Sequence, residues 1–528
     1  MLLENCLGRR LPKRYNGGHA VIELSAASKV GRMLRILGSN KRLCDGLSRR
    51  DFLQASSLGL LGLGAQTALS PAAHASPAGG SFGKAKRCIL LYLYGAASQI
   101  ETFDPKPLAP AEVRGELGAI STSVPGIEIG ELLPLTSRIV DRATIVRSMT
   151  HPYPLHASAF TLTSIPTIDV PLQMSPRDPR HWPFIGSVVD YLADQRGEPA
   201  PDVARNIGLP WRLSSRRPLA AGDNAGPYGA WLGRAYDPLW TDFQGQGTRE
   251  STYTFGEQTI RCHDPYGPLQ PDCRFGLAAD ATLPGGLTLD RLNRRRSLLE
   301  QVDDARRMAD ASVSTRSYDD FRQQAFGYLT TDTLSTALDV AREPRALREQ
   351  YGMTLFGQAS LVARRLLEAG TQFVTVLWDE FKLVNSAWDT HFYHYELMRE
   401  QLCPGLDRAL SSLVLDLEAR GMLDDTLIVC TTEHGRTPKL ENVPGGGRGH
   451  WAQAYSTLLV GGGVARGKVV GRTDRIAGAV LDTPISPKDI LATMYHLLGI
   501  DPETLILDRL GRPMPVGGEG KVRHELLA

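Results

Sequence analysis

The chain has 528 residues, which is too long for one small core but suits a large α/β domain with insertions. The formal net charge of +2 gives no electrostatic basis for a nucleic-acid partner, so that class of function is excluded. A charged fraction of 22% and a hydrophobic fraction of 42% are typical of a globular protein.

The N-terminal extension, residues 1–80, contains an apolar stretch with the features of an export signal. The stretch "LSRRDFLQASSLGLLGLGAQTALSPAAHASPAGG" has the twin arginines Arg49 and Arg50, an apolar segment at 55–69 and a small-residue site at 73–75. The apolar segment is too short for a comfortable membrane span. The order of these features resembles a bacterial twin-arginine signal, which predicts a periplasmic or secreted protein with no stable membrane span after signal removal. The alternative is a chance pair of arginines before a core helix.

From residue 85 onward, apolar runs alternate with amphipathic stretches, and this alternation predicts a mostly parallel sheet covered by helices. The first continuous apolar run begins at Arg87 and is typical of a strand that is buried on both faces. Further strands are predicted at 143–149, 371–378, 425–432 and 455–462. Helices are predicted at 353–370 and 405–423, because apolar residues recur there at helical spacing and a glycine lies near each end.

One segment interrupts this pattern. The periodicity weakens after about residue 180, and we interpret residues 200–345 as a loop-rich insertion within a domain that spans 85–528. Short strands are expected in the insertion, together with one charged amphipathic helix at 289–310.

Polar residues follow four of the predicted strands directly. In open α/β sheets, functional groups collect beyond the carboxyl ends of the strands. A histidine beside a carboxylate at several such ends is what a metal site with mixed nitrogen and oxygen ligands requires. The residues at these ends are Ser98, Glu101, Thr102 and Asp104; His151, His156 and Ser158; Asp379, Asp389, His391 and His394; and Glu433, His434 and His450.

Some of these residues have a simpler structural explanation. His151 and His156 can satisfy loop backbone groups, and His394 is more readily a neighbour than a ligand. Asp379 and Glu380 are consistent with acids that start a helix. The glycines at 445–447 lack the strand–turn–helix context of a phosphate site, so we interpret them as a mobile loop.

The stronger candidates are two short motifs. In "WDTH", Trp388 anchors a segment that carries two types of potential ligand, Asp389 and His391, separated by one residue. Glu433 and His434 are adjacent polar residues at the end of a buried strand, where burial without a partner would be costly.

These motifs resemble a known group of proteins. The sequence "VCTTEHGRTP", followed later by "GRGHW", is similar to the strand, Asp-His-Gly and later His signature of the alkaline phosphatase and sulfatase superfamily. More closely, the chain resembles the bacterial family DUF1501, proteins of unknown function related to sulfatases. The resemblance covers "SRRDFLQ", "SQIETFDPKP", "WDTH", "EHGRTP", "GHW" and "ISPKDILATMYHLLGIDPETLILDRLGRP".

The resemblance implies an alkaline-phosphatase-like sheet with helices on both faces, one or two divalent metals, and hydrolysis of a sulfate or phosphate ester. Glu433 and His434 match the pair that binds one metal in the superfamily. Asp389, His391 and His450 resemble the ligands of the other.

Two departures from the superfamily pattern concern its ligands and its nucleophile. The first strand ends "YGAAS" without the usual Asp, so Glu101 or Asp104 would have to reach in from the next loop. The region that matches the nucleophile is "LHASAFTLTS", which offers His156 and Ser158.

The expected function is therefore an exported, metal-dependent hydrolase of an anionic ester or polysaccharide substrate. A divalent ion (Zn, Mn, Fe or Ca) would assist the attack of Ser158, or of a water activated by His156. Arg436 would meet an anionic oxygen through its bidentate guanidinium, the alternative being a loop salt bridge.

A second interpretation is a non-catalytic exported binding or structural protein with a degenerate metal site, for example one that holds sulfated polysaccharide. The missing first-strand Asp favours this interpretation.

Overall fold

The computed structural model describes residues 80–199, 202–217, 224–255, 258–278, 332–382 and 384–528. The chain divides into two units, Met1–Gly79 and Gly80–Ala528, and the described residues all belong to the second. The predicted export signal and the predicted helix at 289–310 lie outside the described residues.

A mixed sheet forms the centre of the second unit. Within the described residues it has nine strands: β1 Arg87–Leu93, β2 Ala143–Met149, β3 Asn206–Leu209, β4 Leu239–Gln244, β5 Arg274–Leu277, β6 Phe373–Trp378, β7 Thr426–Thr431, β8 Tyr455–Val460 and β9 Lys468–Val470. Their order across the sheet is β9-β2-β8-β7-β1-β6-β3-β4-β5. Neighbouring strands are parallel, except that β8 is antiparallel to β7 and β2 and β5 is antiparallel to β4. Most strands therefore share one direction, which confirms the predicted mostly parallel sheet.

The central strands coincide with the continuous apolar runs of the sequence. In β1, all residues after Arg87 are buried, and in β6 every residue is buried. Because successive side chains of a strand point to opposite faces, this burial shows that both faces of the sheet are covered.

Five helices pack around the sheet: α1 Ser158–Leu162, α2 Ile185–Gln195, α3 Leu355–Glu368, α4 Cys403–Ala419 and α5 Pro487–Leu497. Further helices of the described residues lie at Ala111–Arg114, Val170–Gln173, Asp332–Leu338, Arg345–Tyr351 and His394–Leu397. Helix α3 begins where the Thr354 hydroxyl accepts a hydrogen bond from the Gly357 N–H, and α5 begins with a capping box between Ser486 and Asp489. A search of the described residues finds no helix that is both long and apolar enough to cross a membrane.

The segment interpreted as a loop-rich insertion also contributes to the sheet. Strands β3, β4 and β5 come from it, and β3 pairs in parallel with β6. These strands have four to six residues, too few to establish a clear periodicity in the sequence. The carboxyl end of β3 therefore reaches the same edge of the sheet as the ends of β1 and β6.

Strand direction also explains why residues before β8 reach this edge. Strands β1, β2, β6 and β7 run in one direction, so the residues that follow them meet at one edge. Because β8 runs in the opposite direction, the residues that precede it, including His450, lie at that same edge.

Candidate metal centre

A two-stranded ribbon brings His450 back to His434. Gly435–Arg436 pairs with His450–Trp451, and Arg436 lies opposite His450. The ring centroids of His434 and His450 are 4.8 Å apart. The glycine-rich segment between them is therefore the turn of an antiparallel ribbon.

His434 presents a ring nitrogen without a partner. Its Nδ1 lies 2.8 Å from the carbonyl oxygen of Gly435, which can only accept, so Nδ1 carries the proton. Nε2 consequently keeps its lone pair, and it is buried with no hydrogen-bond partner in the described part of the chain. Burial, and next the charge of His156, lower the pKa of His434 well below its usual value, so the ring is neutral. A buried, neutral imidazole with an unused lone pair is suited to bind a metal.

His156 lies between two carboxylates. Its Nδ1 is 2.7 Å from Oε1 of Glu433, and its Nε2 is 3.4 Å from Oδ2 of Asp389. Burial disfavours the charged ring, but the hydrogen bonds with Asp389 and Glu433 outweigh burial and raise the pKa of His156 to about 9. His156 is therefore an imidazolium near neutral pH. To act as the predicted general base that activates a water molecule, His156 must lose this proton when a metal binds.

Asp389 gathers three imidazoles around its carboxylate. Its Oδ1 lies 3.1 Å from Nε2 of His391 and 3.4 Å from Nε2 of His450. Burial opposes the charge, but the hydrogen bond from His156, the contacts with His391 and His450 and the charge of Arg436 hold the pKa of Asp389 well below its usual range. The Nε2 atoms of His391 and His450 are 3.1 Å apart. His450 donates from Nδ1 to the Pro154 carbonyl at 3.2 Å, so its Nε2 also carries a lone pair when the ring is neutral.

We call His156, Asp389, His391, His434 and His450 the histidine cluster. It contains two sets of potential ligand atoms, each within 4.8 Å of one another: His156, His434 and His450, and Asp389, His391 and His450. His450 belongs to both sets. Imidazoles with one carboxylate form a donor set that suits a divalent transition metal, and the unpartnered Nε2 of His434 fits such an ion.

Glu433, predicted as a ligand, instead lies behind His156. Its Oε1 accepts hydrogen bonds from the Gly95 N–H and from His156 Nδ1, each at 2.7 Å. Its Oε2 accepts at 3.2 Å from the Thr432 hydroxyl. The side chain is fully buried and belongs to neither set of potential ligands. A carboxylate that orients the ring of a ligating histidine is a common arrangement in metal sites.

Glu101 and Asp104 do not reach into the cluster. Asp104 binds the Thr473 hydroxyl, forms an ion pair with Lys106 at 2.9 Å and lies 3.5 Å from Arg147. Glu101 is fully buried and forms an ion pair with Arg448 at 2.6 Å. The structure therefore does not use either carboxylate to replace the missing first-strand Asp.

A close backbone approach at Gly95, directly after β1, leaves no room for a side chain there. A Cβ atom at this position would lie 2.5 Å from the backbone nitrogen of Asp389, and φ is +100°. The Gly95 N–H donates to Glu433 and its carbonyl accepts from Arg436. The segment directly after β1 therefore contributes backbone hydrogen bonds to Glu433 and Arg436 at this position.

Arg436, predicted to meet a substrate oxygen, is fully buried and fully engaged. Its guanidinium donates to three backbone carbonyls, those of Gly95, Ala96 and Arg448, the last two at 3.0 Å each. It also donates to Asp389 Oδ1 and, at 3.4 Å, to His391 Nε2. A guanidinium has five N–H groups, so each has an acceptor. The structure therefore assigns Arg436 to holding Asp389 and the surrounding loops in place.

His151 and Ser158 lie outside the cluster. His151 donates from Nε2 to the Glu433 carbonyl at 2.7 Å, and burial lowers its pKa to about 4, so the ring is neutral. Ser158 begins α1 and is fully buried. Its hydroxyl forms no hydrogen bond with another described residue, and so none with His156.

The glycines at 445–447 allow close packing. A Cβ atom at Gly447 would lie 2.0 Å from the His391 carbonyl oxygen, and one at Gly445 would lie 2.6 Å from the Tyr393 Cα. The carbonyls of Gly445 and Gly446 accept hydrogen bonds from the backbone N–H groups of Tyr395 and His394. The segment that we interpreted as a mobile loop is thus attached to the segment that carries His391.

Sequence reasoning missed Arg448. It is fully buried and donates to Glu101 Oε1 and to the Val113 carbonyl, while Glu101 also lies 3.2 Å from Nε2 of His394. These contacts connect the loop after β1 to the segments that carry His391 and His450. The available signal was a charged residue between two glycines, directly before "HW".

Solved structures that are similar to this chain at low identity include one described as a sulfatase. "Crystal structure of Ps i-CgsB" is 13% identical, with 79% of this chain and 72% of that chain covered and a TM-score of 0.34. The PsFucS1 sulfatase from Pseudoalteromonas sp. is 11% identical, with 79% and 68% covered and a TM-score of 0.33. BT4656, solved with D-glucosamine-2-N,6-O-disulfate, is 12% identical, with 84% and 82% covered and a TM-score of 0.31.

A search of curated proteins returned no match. The profile of the family described as "Protein of unknown function (DUF1501)" matches residues 85–527, which is most of the chain. The protein therefore belongs to the DUF1501 family.

Proposed function

We propose that this protein is a metal-dependent hydrolase of a sulfate or phosphate ester. The observation that carries the proposal is the buried Nε2 of His434, which has a lone pair and no partner in the described structure and lies within 4.8 Å of ligand atoms of His156 and His450. A polar atom buried without a partner is costly, so its retention beside two further imidazoles favours a cation site.

The donor set favours some metals over others. Imidazole suits zinc, iron and related transition metals, whereas calcium takes six to eight oxygen ligands. With four histidines and one aspartate, the cluster is therefore better suited to zinc, iron or manganese than to calcium. When bound, such an ion supplies positive charge that stabilises the developing negative charge on an ester oxygen.

The residues of the chain have distinct roles in this proposal. Arg436 holds Asp389 ionised and oriented, and Glu433 orients the ring of His156. His391 has a side chain that is 37% exposed, so the cluster is open to a substrate from that side. Ser158 is fully buried and not linked to His156, which favours water as the nucleophile. The water oxygen then bonds to sulfur or phosphorus while the bond to the ester oxygen breaks, one water proton passing to the departing alcohol oxygen and the other staying with the sulfate or phosphate product.

The purified exported protein is expected to contain tightly bound divalent metal and to hydrolyse at least one of three ester classes. The classes are aryl sulfates, phosphate monoesters and phosphodiesters, measured beside metal analysis of the same preparation. Chelation should abolish hydrolysis, and readdition of zinc, manganese or iron should restore it, because the ion supplies the positive charge that stabilises the departing ester oxygen. A folded protein that binds no divalent metal would exclude the proposal.

The second candidate is a binding or structural protein with a degenerate metal site. It is favoured by one observation: the carboxylates of Glu101, Asp104 and Glu433 are all engaged elsewhere, which leaves Asp389 as the cluster's carboxylate. Tight metal binding with no turnover on any of the three ester classes would support this candidate.

We also propose that the protein acts outside the cytoplasm. The support is the order of Arg49, Arg50, the apolar segment and the small-residue site in the sequence. Replacing both arginines with lysine is expected to leave precursor in the cytoplasm, as measured by cell fractionation. The opposite result, export at the normal level, would remove this proposal.

A further inference from the structure

Arg436 donates to protein acceptors and is therefore not available to bind an anionic substrate. Arg436 and Arg448 both lie near the cluster, but both are fully buried and donate to protein acceptors. Neither can turn to a substrate without leaving buried carbonyls and carboxylates without donors. An arginine that binds an anionic substrate therefore has to come from another segment at the same edge of the sheet.

The segment that follows β3 supplies a candidate. Its position is set by Asp379, which follows β6 and is fully buried. Asp379 Oδ2 accepts hydrogen bonds from Trp211 Nε1 at 3.0 Å and from the Ser214 N–H at 2.8 Å. The Arg217 N–H then donates to the Ser214 carbonyl at 3.1 Å, which forms a tight turn. Arg217 is thus fixed at the carboxyl edge of the sheet, although its segment belongs to the loop-rich region.

A short chain of contacts connects Arg217 to the histidine cluster. Arg217 Nη1 lies 3.4 Å from Asn224 Oδ1, and the Asn224 amide donates to the Tyr94 hydroxyl. The Tyr94 ring lies beside His156, with centroids 5.4 Å apart. On its other side, Arg217 Nε forms an ion pair with Glu380 Oε2 at 2.8 Å. These contacts connect the guanidinium to His156 through Asn224 and Tyr94.

Arg217 differs from the buried arginines in exposure and in the strength of its contacts. Its side chain is 24% exposed, whereas those of Arg436 and Arg448 are 0% exposed. Its contact with Asn224 is long for a hydrogen bond. Arg217 can therefore exchange its present partners for an oxygen of a ligand.

We propose that Arg217 binds the anionic oxygens of the substrate's sulfate or phosphate group, and that Glu380 holds the guanidinium in place until substrate enters. This inference rests on the proposed function and names the residue that recognises the anion. A planar guanidinium offers two parallel N–H donors to such a group.

The environment of Glu380 is consistent with Arg217 leaving Glu380 to bind a substrate oxygen. Burial raises the pKa of Glu380 to about 7, against the charge of Arg217, and the charges of Asp389 and Glu433 raise it further. Glu380 is therefore partly neutral near pH 7. A neutral Glu380 leaves the positive charge of Arg217 available and does not repel an incoming anion.

The first test is binding of inorganic sulfate and inorganic phosphate to the metal-loaded protein, measured by calorimetry. Arg217→Gln is expected to weaken binding of the anion that the wild type prefers by about tenfold or more, with unchanged metal content. The same variant should raise KM for the hydrolysed ester by a similar factor, because the contact is present in the ground state. The matched control is Arg216→Gln, which removes the neighbouring charge, paired with Asp242, and should change anion affinity less than about twofold.

A second variant tests the inference independently if Arg217→Gln does not fold. Glu380→Gln keeps the shape of the side chain but removes the ion pair, so it should increase anion affinity by releasing Arg217. Unchanged anion affinity in both Arg217→Gln and Glu380→Gln would overturn the inference, as would a wild type that binds neither anion. Hydrolysis with unchanged KM in Arg217→Gln would also overturn it while the proposed function stands. Anion binding that depends on Arg217, without turnover on any ester, would support the inference and reject the proposed function.

Discussion

Replacing His434 with alanine is expected to remove bound metal and hydrolysis together. His434 is fully buried, its tautomer is set by the Gly435 carbonyl, and its Nε2 has no partner among the described residues. Alanine supplies no ligand, and the buried position gives water little access as a substitute. Metal affinity should fall by at least about 100-fold, with turnover near background. Metal titration and ester hydrolysis on the same preparation measure both effects.

The control for this variant is His181→Ala, which also removes a buried histidine. His181 contacts the carbonyls of Leu172 and Ser175, at 3.0 Å each, and is not part of either candidate ligand set. Added metal should raise the thermal unfolding midpoint of the wild type and of His181→Ala, but not that of His434→Ala. A His434→Ala protein with wild-type metal affinity would show that His434 is not a ligand.

Replacing Arg436 with methionine is expected to lower the free energy of unfolding by about 3–5 kcal/mol, since it removes one partner of a buried ion pair. Five acceptors would lose their donors, including Asp389 and the carbonyls of Gly95 and Ala96. Arg436→Lys should also be destabilised, because an ammonium group has three N–H donors for five acceptors. Urea denaturation of the metal-free protein measures the change without a contribution from bound metal.

The matched control is Arg345→Met, which removes an arginine whose side chain is 83% exposed and paired with Glu349 on the same helix. Such an exposed ion pair contributes little to stability, so the change in the free energy of unfolding should be below about 1 kcal/mol. If Arg436→Met unfolds like the wild type and only raises KM for an ester, Arg436 binds substrate and the structural assignment is wrong.

The sequence by itself determined the centre of the fold. Continuous apolar runs predicted the start of β1, and both ends of β2, β6, β7 and β8 within two residues, because strands covered on both faces need apolar side chains at every position. It also predicted that histidines and carboxylates would gather at one edge, because parallel strands end together. Short strands were expected in the insertion, but the positions of β3, β4 and β5 and their place in the main sheet were not predicted, because four to six residues are too few to show a period.

Only the tertiary structure decided what each side chain at that edge contacts. Glu433 and His434 are adjacent in sequence, yet Glu433 binds Gly95 and His156 while His434 faces His450. Successive residues of an extended chain point in opposite directions, so their neighbours come from different loops. The sequence predicted a substrate contact for Arg436 and did not single out Arg217, whereas in the structure Arg436 has more acceptors around its guanidinium than Arg217 has. Those acceptors are backbone carbonyls and side chains from distant segments, and no local pattern of residues specifies where such groups converge.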